Sequence, residues 1–178
     1  MKLAAQAKEY SYSLKSYQNY KRLPGEWFST PNHLSYVADD MSDFDQTIRE
    51  LEPEQVFWAE EGDLYRAKVR LCGAFSVGDL GSVEWLDVRE PTQAQLARRA
   101  TGVRSLTFIL GSLLGASDIL KAKRVTHEPF FGNNRGRIVV PFGRAGESFE
   151  LANQPFEEIV RLQVEAKDLR ALPPSRAA

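Results

Sequence analysis

The feature of this sequence that most constrains its fold is an internal repeat. His33-Leu34-Ser35-Tyr36-Val37 resembles Ser105-Leu106-Thr107-Phe108-Ile109 in the second half of the chain. An amphipathic segment follows each of these strings. A closing strand ends each half, at Val83-Glu84-Trp85-Leu86 and at Phe149-Glu150-Leu151-Ala152, and aligning these two strings pairs Glu84 with Glu150. Two units of similar size and order predict a duplicated supersecondary module.

Hydrophobic periodicity predicts the elements within each half. The first half contains a strand at 33–37, a helix capped by Ser42 and ended by Pro53, and strands at 56–59 and 64–71. A loop at 73–81, with room for a short extended piece, and a strand at 82–88 follow. A connecting helix is predicted at 92–100. The second half then contains a strand at 103–110, a helix at 113–122, a short strand at 123–127, strands at 137–142 and 147–152, and a last helix from Pro155.

The chain begins with a segment that is typical of an amphipathic helix, at 3–23. Leu3, Ala7, Tyr10, Leu14 and Tyr17 recur at spacings of four and three and therefore form one stripe. The first interpretation is a helix that lies across its own domain. The alternative is a partner surface that forms a homodimer or binds another chain.

Length and composition predict one globular domain, because the chain has 178 residues of which 43% are hydrophobic. A formal net charge of −1 argues against a general nucleic-acid binder. The single Cys72 excludes an internal disulfide. With neither a bilayer-spanning apolar run nor a signal peptide, we expect a soluble, cytoplasmic protein without a membrane partner. The expected divisions are a helical extension at 1–31, a first module at 32–91, a linker helix and second module at 92–152, and a helix and tail at 153–178.

Strand alternation predicts which side chains share a face. Leu34 and Tyr36 lie on one face of the first strand, as Leu106 and Phe108 do on its counterpart. Helices cover apolar sheet faces, so these four side chains are expected beneath the helices. The opposite, concave face is then expected to carry His33, Ser105, Glu84 and Glu150.

The segments Asn32–Asp40, Ser82–Leu86, Gly102–Phe108 and Arg137–Phe142, with Phe149-Glu150-Leu151, are similar to the vicinal oxygen chelate superfamily. That superfamily includes glyoxalase I, extradiol dioxygenases, methylmalonyl-CoA epimerase and metal-free antibiotic-binding proteins. The resemblance spans residues 32–152 and implies an α+β fold in which two βαβββ modules form a cupped mixed sheet. The N-terminal helix and the segment from Asn153 also resemble the YecM-like branch, which is described as metal-binding.

The resemblance implies a metal site made by the first and last strands of each module. Carried over by position, its ligands are His33, Glu84 and Glu150, while Ser105 stands where the family usually has a histidine. An imidazole and two carboxylates suit Zn, Mn, Fe, Co or Ni. In a metal-dependent lyase, isomerase or epimerase, Glu84 or Glu150 would be the base. His127 is a further candidate ligand.

The expected ligand is a small, oxygen-rich molecule, either neutral or anionic. Arginine suits carboxylate and phosphate groups, and the candidates for contacting the ligand are Arg66, Arg70, Arg104, Arg135 and Arg144, together with Ser105. Three functions stay open at this point: a metal-dependent protein acting on this ligand, a metal-free binding protein that uses the same cup, and an interaction module that uses the N-terminal helix.

Overall fold

One mixed sheet organises the chain. The computed structural model describes residues 2–61, 64–128, 136–143, 146–158 and 161. Within them, seven strands form a single sheet in the order β2-β3-β4-β1-β5-β7-β6. In chain order the strands are β1 (Pro31–Val37), β2 (Pro53–Glu61), β3 (Leu64–Ser76), β4 (Ser82–Arg89), β5 (Gly102–Ile109), β6 (Arg137–Pro141) and β7 (Ser148–Ala152). The predicted α+β class with two paired modules is confirmed.

The helices are α1 (Lys2–Lys21), α2 (Met41–Glu50), α3 (Gln93–Ala97) and α4 (Leu113–Ala122), with short 3-10 turns at Gly25–Phe28 and Gly78–Leu80. Asp40, not the predicted Ser42, caps α2, and its side chain accepts a hydrogen bond from the Asp43 N–H at 2.7 Å. Within the predicted loop at 73–81, β3 continues to Ser76 before the second 3-10 turn, and this is the short extended piece for which the prediction left room.

The second module departs from prediction at one element. Residues 123–127 do not form a strand, and the segment meets the sheet through one bridge between Glu128 and Val139. Of the predicted last helix, residues 156–158 have helical backbone. Most of its remainder lies outside the described residues.

The strand pairing has the symmetry expected of a duplicated unit. β1 and β5 are antiparallel neighbours at the centre of the sheet, where His33 pairs with Thr107 and Ser35 pairs with Ser105. In the sequence repeat, His33 corresponds to Ser105 and Ser35 corresponds to Thr107. Exchanging each residue for its counterpart therefore turns the His33–Thr107 pair into the Ser105–Ser35 pair. The predicted alignment of His33 with Ser105 therefore matches residues that an internal two-fold axis between β1 and β5 relates.

One face of the sheet is closed by the helices. Leu3, Ala7, Tyr10 and Leu14 of α1 are buried in the main core with the predicted inward-facing side chains of β1 and β5. The Tyr10 hydroxyl accepts a hydrogen bond from the Leu106 N–H at 3.1 Å and donates one to the Ser148 carbonyl at 2.5 Å. The interpretation of α1 as a helix lying across its own domain is confirmed. None of the helices described here is long and apolar enough to cross a membrane.

Candidate functional site

The opposite face of the sheet holds a cavity of about 320 Å³, which we call the cup. Alternation brings His33, Ser35 and Val37 of β1 to this face, because Leu34 and Tyr36 are buried on the helical side. Seven charged side chains from other segments also line the cup: Arg66, Asp87, Arg89, Arg98, Arg104, Arg137 and Glu150.

Five of the residues selected from the sequence meet in the cup: His33, Ser105, Glu150, Arg66 and Arg104. Glu84 and Arg70 do not line it, and instead form an ion pair with each other at 2.9 Å. Arg70 also contacts Glu157 at 3.0 Å.

Three candidates remain: His127, Arg135 and Arg144. His127 lies elsewhere, with its Nδ1 atom 2.8 Å from the Val125 carbonyl oxygen. Arg135 and Arg144 lie outside the described residues.

The structure corrects the alignment of the two closing strands. In β1 and β4, Ser35 pairs with Asp87, and in β5 and β7 the equivalent Thr107 pairs with Glu150. The counterpart of Glu150 is therefore Asp87 and not Glu84. Side chains three positions apart on a strand point to opposite faces, so the shift removes Glu84 from the concave face and brings Asp87 onto it.

Asp87 is a buried carboxylate held by two arginines. Arg66 Nε donates to Asp87 Oδ1 at 2.7 Å, a second bond joins Arg66 to Oδ2, and Arg89 lies 3.6 Å from Oδ2. Burial raises the pKa of Asp87, but the charges of Arg66 and Arg89 and the Arg66 hydrogen bonds outweigh it and hold the pKa well below its usual range. Asp87 is therefore an ionised, weakly basic group.

The second module presents a similar pair. Arg137 donates to Glu150 Oε2 at 2.8 Å, and the buried Thr107 hydroxyl donates to the same oxygen at 3.1 Å. Both carboxylates of the cup are thus already engaged by guanidinium groups.

His33 is buried beneath the C-terminal segment. Its ring stacks on Phe156 at 3.6 Å between centroids, with the two planes within 1° of parallel. The Phe156 N–H donates to Asn32 Oδ1 at 2.6 Å, which fixes the segment over β1. Both His33 ring nitrogens are covered and have no hydrogen-bond partner among the described residues. Burial lowers the pKa of His33 to about 3, so the ring is neutral at pH 7.

These donors do not fit a divalent metal ion as they stand. The described part of the chain contains no group of three or more His, Cys, Asp or Glu side chains arranged to hold one. A metal at the cup would have to displace guanidinium groups from Asp87 and Glu150, and Phe156 covers the one imidazole. The predicted set of His33, Glu84 and Glu150 does not converge, because Glu84 lies outside the cup.

Arg104 reaches the cup past a glycine. Gly146 has a φ of +86°, in the left-handed region that favours glycine, and a Cβ atom there would meet the Arg104 guanidinium in its present position. Arg104 Nη1 donates to the Thr101 carbonyl at 3.3 Å. Partial burial lowers the pKa of Arg104, while Glu147 in the neighbouring cavity raises it.

Sequence reasoning missed Asp87, Arg89, Arg98, Arg137 and Phe156. The sequence did contain a sign that Asp87 is functional, because this charged residue stands between the apolar Leu86 and Val88 of a predicted strand. The contact of Phe156 with His33 had none, because the two residues lie near opposite ends of the duplicated region.

Comparison with known proteins identifies the fold. No protein-family model and no curated protein sequence matches the chain. A structural-genomics structure, "Protein EC4020", matches with a TM-score of 0.68 and 12% identity over 90% of this chain and 91% of that one. Methylmalonyl-CoA epimerase from Mycobacterium tuberculosis matches with a TM-score of 0.50 and 15% identity over 79% of this chain and 99% of that one. The paired βαβββ modules and these likenesses show that the chain has the fold of the vicinal oxygen chelate superfamily.

Proposed function

We propose that the chain binds a small, multiply anionic molecule in the cup, and that arginines rather than a metal ion supply the positive charge. The observation that carries this proposal is the charge of the lining. Five arginines and two carboxylates line the cup and His33 is neutral, so positive side chains outnumber negative ones in the lining. Like charges gathered in a recess repel one another unless a counter-charge neutralises them.

The chemistry of the lining supports the same ligand class. Guanidinium groups bind carboxylate and phosphate oxygens through paired hydrogen bonds. Ser35 and Ser105 add neutral hydroxyl groups to the floor. The volume of about 320 Å³ lies at the lower end of the range for small-molecule sites.

The alternative from the sequence, a metal-dependent enzyme, has less support in this geometry. Of its two candidate bases, Glu84 is outside the cup, and Glu150 lines the cup but accepts hydrogen bonds from Arg137 and the Thr107 hydroxyl. Asp87, the carboxylate found in place of Glu84, is a poor base because Arg66 stabilises its ionised form. The unpartnered nitrogens of His33 are the observation that favours it. A test must therefore separate the two functions.

Thermal unfolding with a panel of small anions makes this separation. The panel contains phosphate, pyrophosphate, oxalate, malonate, succinate and glutarate, at low ionic strength and after treatment with EDTA. An anion present at 100 times its Kd stabilises the fold by about 2.7 kcal/mol, and each kcal/mol raises the melting temperature of a domain of this size by about 2–4 °C. We expect such a shift without added metal and no change on adding Mn(II) or Zn(II).

Two matched variants test whether the anion stabilises the protein by binding in the cup. Arg98 is exposed at the rim of the cup and pairs with no carboxylate among the described residues, so Arg98→Gln should weaken binding without unfolding the chain. Arg49→Gln on α2, also exposed but not part of the cup, should bind like the parent. Stabilisation that needs stoichiometric metal would support the enzyme alternative, and a panel without effect would refute anion binding.

A further inference from the structure

Two aromatic rings on the face of the sheet that forms the cup carry polar atoms without a partner. His33 of β1 and Trp85 of β4 are directly opposite each other in the parallel pairing of these strands. His33 is 4% exposed and Trp85 is 2% exposed. Neither the His33 ring nitrogens nor Trp85 Nε1 has a hydrogen-bond partner among the described residues. Such buried, unpaired atoms reduce the stability of the closed structure and call for an explanation.

One side chain covers both rings. Phe156 belongs to residues 153–158, which we call the flap. Its ring stacks on His33, and it meets Trp85 with 5.8 Å between centroids and planes at 63°. Phe156 also lines the cup. If the flap moved away, the cup would extend over the two rings, and their nitrogens would become accessible to water or to a ligand.

The polar contacts between the flap and the sheet are few. Asn32 Oδ1 accepts the hydrogen bond from the Phe156 N–H, and Glu157 forms an ion pair with Arg70 at 3.0 Å. The Glu157 side chain is 55% exposed, so this ion pair contributes little to stability. Arg70 also pairs with Glu84 of β4 at 2.9 Å, so it keeps a carboxylate partner when the flap leaves.

We infer that the flap opens while the sheet stays folded, and that the open form of the cup is the form that binds its ligand. Opening breaks no strand pairing, because the flap begins after the end of β7. In the open form, the Trp85 N–H is a donor, and the neutral His33 ring has one donor and one acceptor. The cup then presents two uncharged hydrogen-bonding groups together with its arginines. The part of this inference that concerns the ligand rests on the anion-binding function proposed above.

Hydrogen exchange measured by NMR tests whether the flap opens. The Trp85 indole N–H reports release of the flap. The Leu106 amide, which is buried in the central strand β5 and donates to the Tyr10 hydroxyl, reports unfolding of the sheet. We expect the protection factor of the Trp85 N–H to be at least about 10-fold below that of Leu106. Equal protection would overturn the inference, because the flap would then leave only when the sheet unfolds.

Glu157→Gln tests whether the flap is the segment that opens. Loss of the ion pair with Arg70 should speed exchange of the Trp85 N–H by about two- to fivefold, which is the effect expected of an exposed ion pair. Glu158→Gln is the matched control, because Glu158 pairs with Arg161 and not with the sheet, and it should exchange like the parent. Equal exchange rates in the two variants would overturn the assignment of the flap.

Calorimetric titration with pyrophosphate tests whether opening precedes binding. An open form populated at about 10% or less lowers the apparent affinity by about 10-fold or more. Phe156→Ala should therefore bind pyrophosphate at least about 10-fold more tightly than the parent. Phe57→Ala removes another aromatic contact of Trp85, at 5.9 Å, and leaves the flap in place, so it should bind like the parent.

The milder variants repeat this test in a chain that keeps its core. Glu157→Gln should bind pyrophosphate about two- to fivefold more tightly than Glu158→Gln, which has the same net charge. Binding by Phe156→Ala and Glu157→Gln no tighter than that of their controls would overturn the role of the flap in binding and leave anion binding intact. Rapid exchange of the Trp85 N–H without pyrophosphate binding by any variant would support the opening of the flap and count against the proposed anion-binding function.

Discussion

Lowering the pH from 7 to 5 should destabilise the fold through one buried side chain, His33. This residue is 4% exposed and stacked beneath Phe156. Burial lowers its pKa from 6.5 to about 3; Asp87 opposes the shift, and Arg137, Arg66 and Lys68 add to it. The folded chain therefore excludes a proton that the unfolded chain accepts.

The sign and size of the effect follow from this difference. Between pH 6.5 and about 3 the unfolded state binds more protons than the folded state, so the free energy of unfolding falls as the pH falls. At pH 5, about 1.5 pH units below the ordinary value, the loss is about 2 kcal/mol. Asp87 does not contribute here, because its lowered pKa gives stability that is lost only below its ordinary value of 3.8.

Urea unfolding at pH 7 and pH 5 measures the loss directly. His33→Gln should remove most of the difference between the two pH values, whatever its effect on stability at pH 7. His127 is the one other histidine in the sequence, so His127→Gln is the matched control and should keep the loss of about 2 kcal/mol. A pH dependence in His33→Gln equal to that of the parent would show that His33 is not the group responsible.

Two further predictions concern packing on either side of the sheet. Tyr10→Phe should lower the free energy of unfolding by about 1–3 kcal/mol in urea titrations, because the buried Leu106 N–H and the partly buried Ser148 carbonyl both lose their hydrogen bond to the Tyr10 hydroxyl. The exposed Tyr12→Phe should change it by less than about 0.5 kcal/mol, and equal effects of the two variants would contradict the assignment. Phe156→Ala should raise the pKa of His33 from about 3 towards 6.5, because water reaches the imidazole. An NMR titration checks this, and an unchanged pKa would show that Phe156 is not the cover.

The order of elements could be predicted from local patterns, because each pattern reports one buried face. In α1 the spacings of four and three placed Leu3, Ala7, Tyr10 and Leu14 on the stripe that is buried. Strand alternation and the internal repeat also assigned His33 and Ser105 correctly to the concave face. These properties depend on the periodicity of helix and strand, which a sequence carries by itself.

The register of β4 could not be predicted, because this strand lacks a single buried face. Trp85, Leu86, Asp87 and Val88 are all buried, since the helices cover one side and the C-terminal segment covers the other near Trp85. Alternation therefore could not distinguish Glu84 from Asp87, and only the pairing of β4 with β1 does so.

The sequence alone thus determined the duplicated modules and the two faces of their first strands, because both arise from short-range periodicity. Tertiary structure alone decided that Arg66 engages Asp87, that Arg137 engages Glu150 and that Phe156 covers His33. The physical reason is that charge pairing and stacking depend on interstrand register and on contacts between residues far apart in the chain, and no local pattern carries that information.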